Sequence, residues 1–251
     1  MEPQRLTLRI KRFDPERKPP QWIDVFYLEP RKGMNLLEAL FRIQDEQDGT
    51  LSFRYSCRGA VCGSCAVKVN GRAVLACRTH VEDLLAKPAF VEPLNYFPVI
   101  RDLIVDLSAF FDHYREIEPF LHTRTVPSGR EYLMDEKKRK EIDTYINCIL
   151  CGICLGVCPA FERDGRYLGP AILAKAYRFL IDPRDHRSKE ILKEVDGQTG
   201  VWGCNTVFNC VKFCPKQVPP THAILKLRGR ILRDRLTSLF SNHPDHQRRK
   251  I

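Results

Sequence analysis

Eleven cysteines fall into three runs, and their spacing constrains this 251-residue chain more tightly than any other feature. The first run is Cys57-x4-Cys62-x2-Cys65, with Cys77 after eleven further residues, the plant-type [2Fe–2S] spacing. The second is Cys148-x2-Cys151-x2-Cys154-x3-Cys158-Pro159, and the third is Cys204-x5-Cys210-x3-Cys214-Pro215. Laid on the second, the third matches throughout, except that Val207 stands where a second cysteine would be. In two-cluster ferredoxins of this spacing, the fourth cysteine of each run reaches across to the other cluster. By that rule Cys148, Cys151, Cys154 and Cys214 would hold a [4Fe–4S] cluster. Cys158, Cys204 and Cys210 offer only three thiolates, which suits [3Fe–4S]. A chain built this way is an electron wire with three stations.

Two other uses of cysteine compete. Disulfide frameworks belong to short secreted chains. The N-terminal stretch MEPQRLTLRIKRF lacks the apolar core of a secretory signal, so a reducing compartment is expected. Structural zinc is the stronger rival, because Cys-x2-Cys pairs bind it with four thiolates. Zinc would leave the Cys158, Cys204, Cys210 set one ligand short. Hydrophobic content of 43% is enough for packed cores, yet no stretch approaches the ~20 apolar residues of a membrane helix. The formal charge of +10 falls to about +4 once each loaded site carries about −2. Residues 221–251 hold eight Lys/Arg against two Asp, a basic patch suited to an anionic membrane surface or an acidic subunit, with residues 241–251 expected as a solvated tail. No nucleic-acid module is recognisable, and nucleic acid is not expected as a partner.

The fold class expected is α+β, with a β-grasp plant-type [2Fe–2S] ferredoxin domain over residues 1–105. A mostly helical, bacterial-ferredoxin-like domain should follow over residues 106–251. Leu6, Leu8, Ile10 and Phe13 read as the inward residues of a first strand, and Val25 to Leu28 as a second. Asn35 is an N-cap for an amphipathic helix from Leu36 to about Gln47. Asn70-Gly71 marks a hairpin between Ala66–Val69 and Ala73–Ala76, which returns Cys77 to the cluster loop. Pro88, Pro93 and Pro98 read as the end of this half. Helices are predicted over 101–117, with Leu103, Ile104, Leu107, Phe110 and Phe111 on one side, and over Asp135–Ile146. Two more are predicted after Gly169-Pro170 and over His222–Leu236. Phe110, Phe111, Tyr114 and Phe120 read as surface aromatics, which favours a subunit in a complex over a free carrier.

Small residues in the ligand loops (Gly59, Ala60, Gly63, Ser64, Gly152 and Gly156) let backbone N–H groups approach cluster sulfur. Pro159 and Pro215 turn the chain away after the cross-ligating cysteines. The seven histidines are scattered, without metal-like spacing, and no P-loop or dinucleotide fingerprint is present. The chain has no organic-substrate site of its own. Electrons must arrive from, and leave to, something else.

The segments SCRGAVCGSCAVKVNG, LACRT, CILCGICLGVCPAF, GPAILAKAYRFLIDPRD and CNTVFNCVKFCPK resemble, in this order, the iron–sulfur subunit of succinate dehydrogenase and fumarate reductase. The resemblance spans nearly the whole chain. It implies a flavoprotein partner carrying FAD and a membrane anchor that often carries haem b. Electrons would pass between FAD and quinone through [2Fe–2S], [4Fe–4S] and [3Fe–4S], at the cytoplasmic face of the membrane where the anchor holds the chain. The resemblance departs at two places. Asn205 stands where ubiquinone-using members commonly have histidine. Phe161-Glu162-Arg163-Asp164 stands where they have a tryptophan pair, in a segment one residue shorter. Pro159, Phe161 and Asn205 are the expected quinone-facing surface, and menaquinone is the expected quinone. A flavoprotein complex with a thiol-disulfide or other non-quinone partner is the alternative, and a free ferredoxin-like carrier a third.

Overall fold

The alternation of the first strand continues one step further than expected. In the computed structural model, which describes residues 5–123, 129 and 131–241, strand β1 (Leu6–Phe13) buries Leu6, Leu8, Ile10 and then Arg12. Phe13 is the outer neighbour and not the fourth inward residue. Residues 1–4 and the expected tail from 242 onward lie outside the described residues.

β1 lies in a mixed five-stranded sheet of order β2-β1-β5-β3-β4. β2 (Gln21–Leu28) pairs antiparallel to β1 along its length, four residues longer at its start than Val25–Leu28. Helix α1 (Leu36–Glu46) crosses the sheet and buries Leu36, Leu37, Ala39, Leu40 and Ile43. Each large side chain so buried contributes roughly 1.5–3 kcal/mol. A capping box starts the helix: Asn35 accepts from the Glu38 N–H, and Glu38 accepts from the Asn35 N–H. β3 (Ala66–Val69) and β4 (Arg72–Leu75) form the hairpin, with Asn70 and Gly71 both left-handed. β5 (Ala89–Glu92), parallel to β1 and antiparallel to β3, closes the sheet. It occupies the stretch between Pro88 and Pro93, where only an end to this half was expected.

Residues 99–107 correct the helix expected over 101–117. β6 (Val99–Arg101) and β7 (Ile104–Val105) form a small hairpin, and helix α2 begins only at Ser108 and ends at Glu116. Long-range bonds at the turn override the local helical pattern. The left-handed Asp102 accepts from the Phe13 N–H at 3.0 Å and the Ser52 N–H at 2.8 Å. Its carboxylate also lies 3.0 Å from Arg12 Nε as an ion pair without hydrogen-bond geometry. Arg12 further binds Asp24, Asp48 and Thr50, tying β1, β2, the turn after α1 and this hairpin together. Phe110 points into the core, not to the surface, while Phe120 is exposed.

The second half is helical: α3 (Glu136–Ile146), α4 (Ile153–Gly156), α5 (Pro159–Arg163), α6 (Pro170–Leu180), α7 (Ser188–Val195), α8 (Asn209–Lys212) and α9 (Pro220–Ser241). α6 is its axis, buried over most of its length and packed by α3, α7 and α9. α9 outruns the expected His222–Leu236 at both ends. One continuous core joins the two halves.

Arg12→Leu is expected to destabilise the chain by about 3–5 kcal/mol, because it leaves the buried Asp102 carboxylate without its cation. Chemical denaturation of variant and wild type checks this. Burial pushes the Asp48 carboxyl up, but hydrogen bonds from Thr50 and Arg12 outweigh it and hold the group down at about 2. Its contribution is therefore present above its usual value near 3.8 and lost as pH falls through about 2.

Candidate iron–sulfur sites

The first run is a loop held by its own backbone. N–H groups of Gly59, Val61 and Cys62 donate to Cys57 Sγ at 3.4, 3.2 and 3.2 Å, and the Cys57 N–H donates to Cys62 Sγ at 3.4 Å. Left-handed Arg58, Ala60 and Gly63 make that convergence sterically available. The hairpin delivers Cys77 on a single 3-10 turn, Ala76–Arg78, where its N–H donates to Cys65 Sγ at 3.5 Å. All four cysteines of the run are thus neighbours, with Cys57 exposed and Cys65 buried. Burial opposes ionisation at Cys62, but hydrogen bonds from Ser64 and Cys57 win and hold its thiol down to about 6. Burial pushes Cys65 up to about 12, and the adjacent Cys77 and Cys62 sulfurs add to it despite the Cys77 N–H. A groove beside this loop is lined by Arg31, Lys32, Arg42 and Arg58 with Glu38 and Asp45, a net positive set although Arg42 is paired with Glu46, and the Arg58 guanidinium lies over Phe41 and Tyr55.

Cys148, Cys151, Cys154 and Cys214 line one cavity holding about 400 Å³ of empty space, walled by Ile149, Ala171, Ala174 and Val218. Cys158, Cys204 and Cys210 line a second of about 270 Å³, together with Pro159, Asn205, Val207 and Phe208. Phe161 is turned against Phe97, with ring centroids 6.4 Å apart, and is not on that wall.

The backbones of the two runs repeat each other. Leu150 and Gly152 in the second are left-handed, and so are Thr206 and Phe208 in the third, at the same offsets from Cys148 and Cys204. Each pair leads into a one-turn helix, α4 or α8. Val207 therefore sits at the backbone position equivalent to Cys151.

The donor set fits a multi-iron group. The thiols stand around cavity walls and not on one point; among the described residues, no three His, Cys, Asp or Glu converge to hold a single ion. Burial pushes Cys151 up to about 12, with the Cys148 and Cys214 sulfurs adding to it, and pushes Cys154 far up. Thiols held neutral in this way ionise when a cation displaces the proton.

The three sites adjoin. A Cβ on Gly63 would fall 2.6 Å from Cys151 Cβ, so the first loop lies directly on the second run. Arg78, beside Cys77, donates to the carbonyl of Pro215, beside Cys214, at 3.2 Å. α4 packs on α8, bringing the two cavities together.

Residues 7–112 match the family described as a 2Fe-2S iron-sulfur cluster binding domain, and residues 144–218 match a 4Fe-4S dicluster domain. Among solved structures, the chain is similar to one of the Mycobacterium smegmatis Sdh1 complex in the apo form. Identity is 26%, over 90% of this chain and 95% of that one, with a TM-score of 0.80. The chain resembles the iron–sulfur subunit of succinate dehydrogenase and fumarate reductase. A hypothetical protein from Helicobacter pylori shares the fold at 18% identity, over 91% of this chain and 40% of that one, with a TM-score of 0.56. The chain thus carries the [2Fe–2S] and [4Fe–4S] equipment of an electron-transfer subunit of this kind. Among the described residues, no helix is long and apolar enough to cross a membrane.

Groups around the thiols escaped the cysteine pattern. Arg228 of α9 donates to the carbonyls of Val201 and Cys204 and to Thr206, clamping the third run. Its place among buried Ile224, Leu227 and Ile231 was the available signal, an arginine in an apolar-face slot. Lys175 of α6 reaches back to the Ile146 carbonyl beside the second run. Tyr167 is 1% exposed, and burial together with the Cys204 and Cys158 sulfurs pushes its phenol far up.

Gly63→Ala and Gly71→Ala separate backbone strain from contact. Both residues are left-handed, but nothing lies within 4 Å of a Cβ on Gly71. Gly71→Ala should cost about 1–2 kcal/mol. Gly63→Ala should cost more, and should also lower iron and acid-labile sulfide per chain, because Cys151 must shift. Thermal unfolding and iron–sulfide analysis of the two variants check this.

Proposed function

We propose that this chain passes electrons between the FAD of a partner flavoprotein and membrane quinone, in a succinate:quinone or quinol:fumarate oxidoreductase. Three clusters would serve in sequence: [2Fe–2S] on Cys57, Cys62, Cys65 and Cys77; [4Fe–4S] on Cys148, Cys151, Cys154 and Cys214; and [3Fe–4S] on Cys158, Cys204 and Cys210. Residues 1–105 form the first unit and 106–251 the second. One observation carries the reading. The cysteine groups adjoin: the first loop touches the first cavity's run at Gly63 and Arg78, and α4 of that run packs on α8 of the second cavity.

Each cluster, when bound, takes up and releases one electron. The chain's own residues do the rest. Backbone N–H groups aimed at Cys57, Cys62, Cys65 and Cys204 stabilise sulfur charge, and the apolar wall of the first cavity limits access of water. The cationic groove at the first loop suits an acidic surface on the flavoprotein. Pro159, Phe161 and Asn205 form the exit side toward the anchor, extended by Val207 and Phe208, which are about half exposed. Asn205 at the position of the usual histidine favours menaquinone, with more of the quinone's hydrogen bonding supplied by the anchor. The chain would lie peripherally on the cytoplasmic face, held by the anchor subunits.

Electron paramagnetic resonance of variants tests the ligand assignment. Val207→Cys supplies the missing thiolate, so the oxidised [3Fe–4S] signal should weaken as the site converts toward [4Fe–4S] with a lower potential. Cys214→Ser should damage the cluster of the second run, and Cys158→Ser the [3Fe–4S] site. Each variant losing the cluster of its own run would refute the exchange.

Asn205→Ala tests the exit. Quinone-linked turnover of the assembled complex is expected to fall several-fold while dye-linked succinate oxidation is unchanged. An equal response in both assays would remove Asn205 from the quinone site.

A further inference from the structure

The two thiol-lined cavities differ in their polar surroundings. Among the described residues, no hydroxyl side chain lines the cavity of Cys148, Cys151, Cys154 and Cys214, whereas Thr206 and Thr221 both line that of Cys158, Cys204 and Cys210. Thr221 is 1% exposed, and its Oγ1 lies 3.0 Å from Cys210 Sγ. Tyr167 is as deeply buried, and among the described residues its hydroxyl has no hydrogen-bond partner. Burial first, and then the Cys204 and Cys158 sulfurs, push its phenol well up, so it is these sulfurs that the hydroxyl faces. A Cβ on Gly203, the residue before Cys204, would fall 3.0 Å from Tyr167 Cδ2, so ring and backbone are in contact.

A buried O–H with no acceptor loses its water and gains nothing in return. Aimed at a group of thiols, it finds a strong acceptor once they are thiolates around an iron–sulfur core. We propose that Tyr167 donates a hydrogen bond to the sulfur of the site formed by Cys158, Cys204 and Cys210, and that with Thr221 it raises the reduction potential of that site selectively. The inference rests on the reading that these three thiolates hold a [3Fe–4S] cluster. One-electron reduction of such a cluster adds one negative charge to core and thiolate sulfur, with no bond made or broken. A hydrogen-bond donor stabilises the more negative state. The hydroxyls therefore make this site a better electron acceptor than its thiolates alone would. Tyr167 and Thr221 are positioning and tuning residues that act through sulfur.

Tyr167→Phe and Thr221→Val remove the hydroxyls and keep the volumes, and Thr221→Ser restores one. Potentiometric titration of the iron-loaded full chain in its complex, followed by electron paramagnetic resonance, reads all three clusters separately. The expected result is a lower [3Fe–4S] midpoint in each of the first two variants and a further drop in the double variant. Thr221→Ser should remain near wild type, and the other two midpoints should be unmoved. Deuterium exchange with electron–nuclear double resonance should show one exchangeable-proton coupling to the oxidised cluster lost in Tyr167→Phe. Unmoved [3Fe–4S] midpoints with that coupling retained would overturn the inference while leaving the cluster assignment standing. No [3Fe–4S] signal in the wild type would overturn the assignment, and the inference with it.

Discussion

Buried thiols that cannot ionise on their own are the constraint around which the second half is built. Four sulfurs face one apolar cavity and three face another, in the place where a small helical domain would ordinarily put leucines. Burial, together with the neighbouring sulfurs, holds Cys151 and Cys154 neutral, so the charge they need as ligands must be met by iron. Packing by α6 and α9 supplies the outer walls, but the centre belongs to the cofactors.

The same requirement dictates the loops. A sulfur bearing negative charge needs donors, and consecutive N–H groups can converge on it only if the backbone enters left-handed conformations. Arg58, Ala60, Leu150, Thr206 and Phe208 adopt them despite carrying side chains. That strain recurs at matching offsets in the second and third runs, so the backbone of the third keeps the form of a four-cysteine loop even where Val207 replaces the ligand. The loops also seat on one another. With no side chain on Gly63, the first loop rests on Cys151, and Arg78 bonds across to Pro215. A sheet domain and a helical domain thereby meet at their cysteine loops.

Much of the first half was legible in residue patterns: the alternation of β1, the capping box of α1 and the Asn-Gly hairpin are local signals with local causes. Most of the errors come from contacts between residues far apart in the chain. Residues 101–107 carry a helical pattern, yet Asp102 is claimed by Arg12, Phe13 and Ser52, far away in sequence. Arg12 took an inward slot that alternation would assign to an apolar residue, because three carboxylates wait there. β5 hid between two prolines because a four-residue strand is too short to show periodicity. Phe110 turned inward once α2 was shortened and its apolar side faced the core.

For the sites, residue type and spacing named every thiol and the hole at Val207, because ligand count and loop length are covalent properties of the chain. The two domain types followed from the same spacing. What surrounds the thiols was decided only by folding. Tyr167, Thr221, Arg228 and Lys175 carry no motif, and each matters through a partner that packing brings from elsewhere in the chain. Spacing along a chain determines which atoms are available to hold iron. The polarity around that iron, and the path between one site and the next, depend on long-range contacts that exist only when the two halves pack as one body.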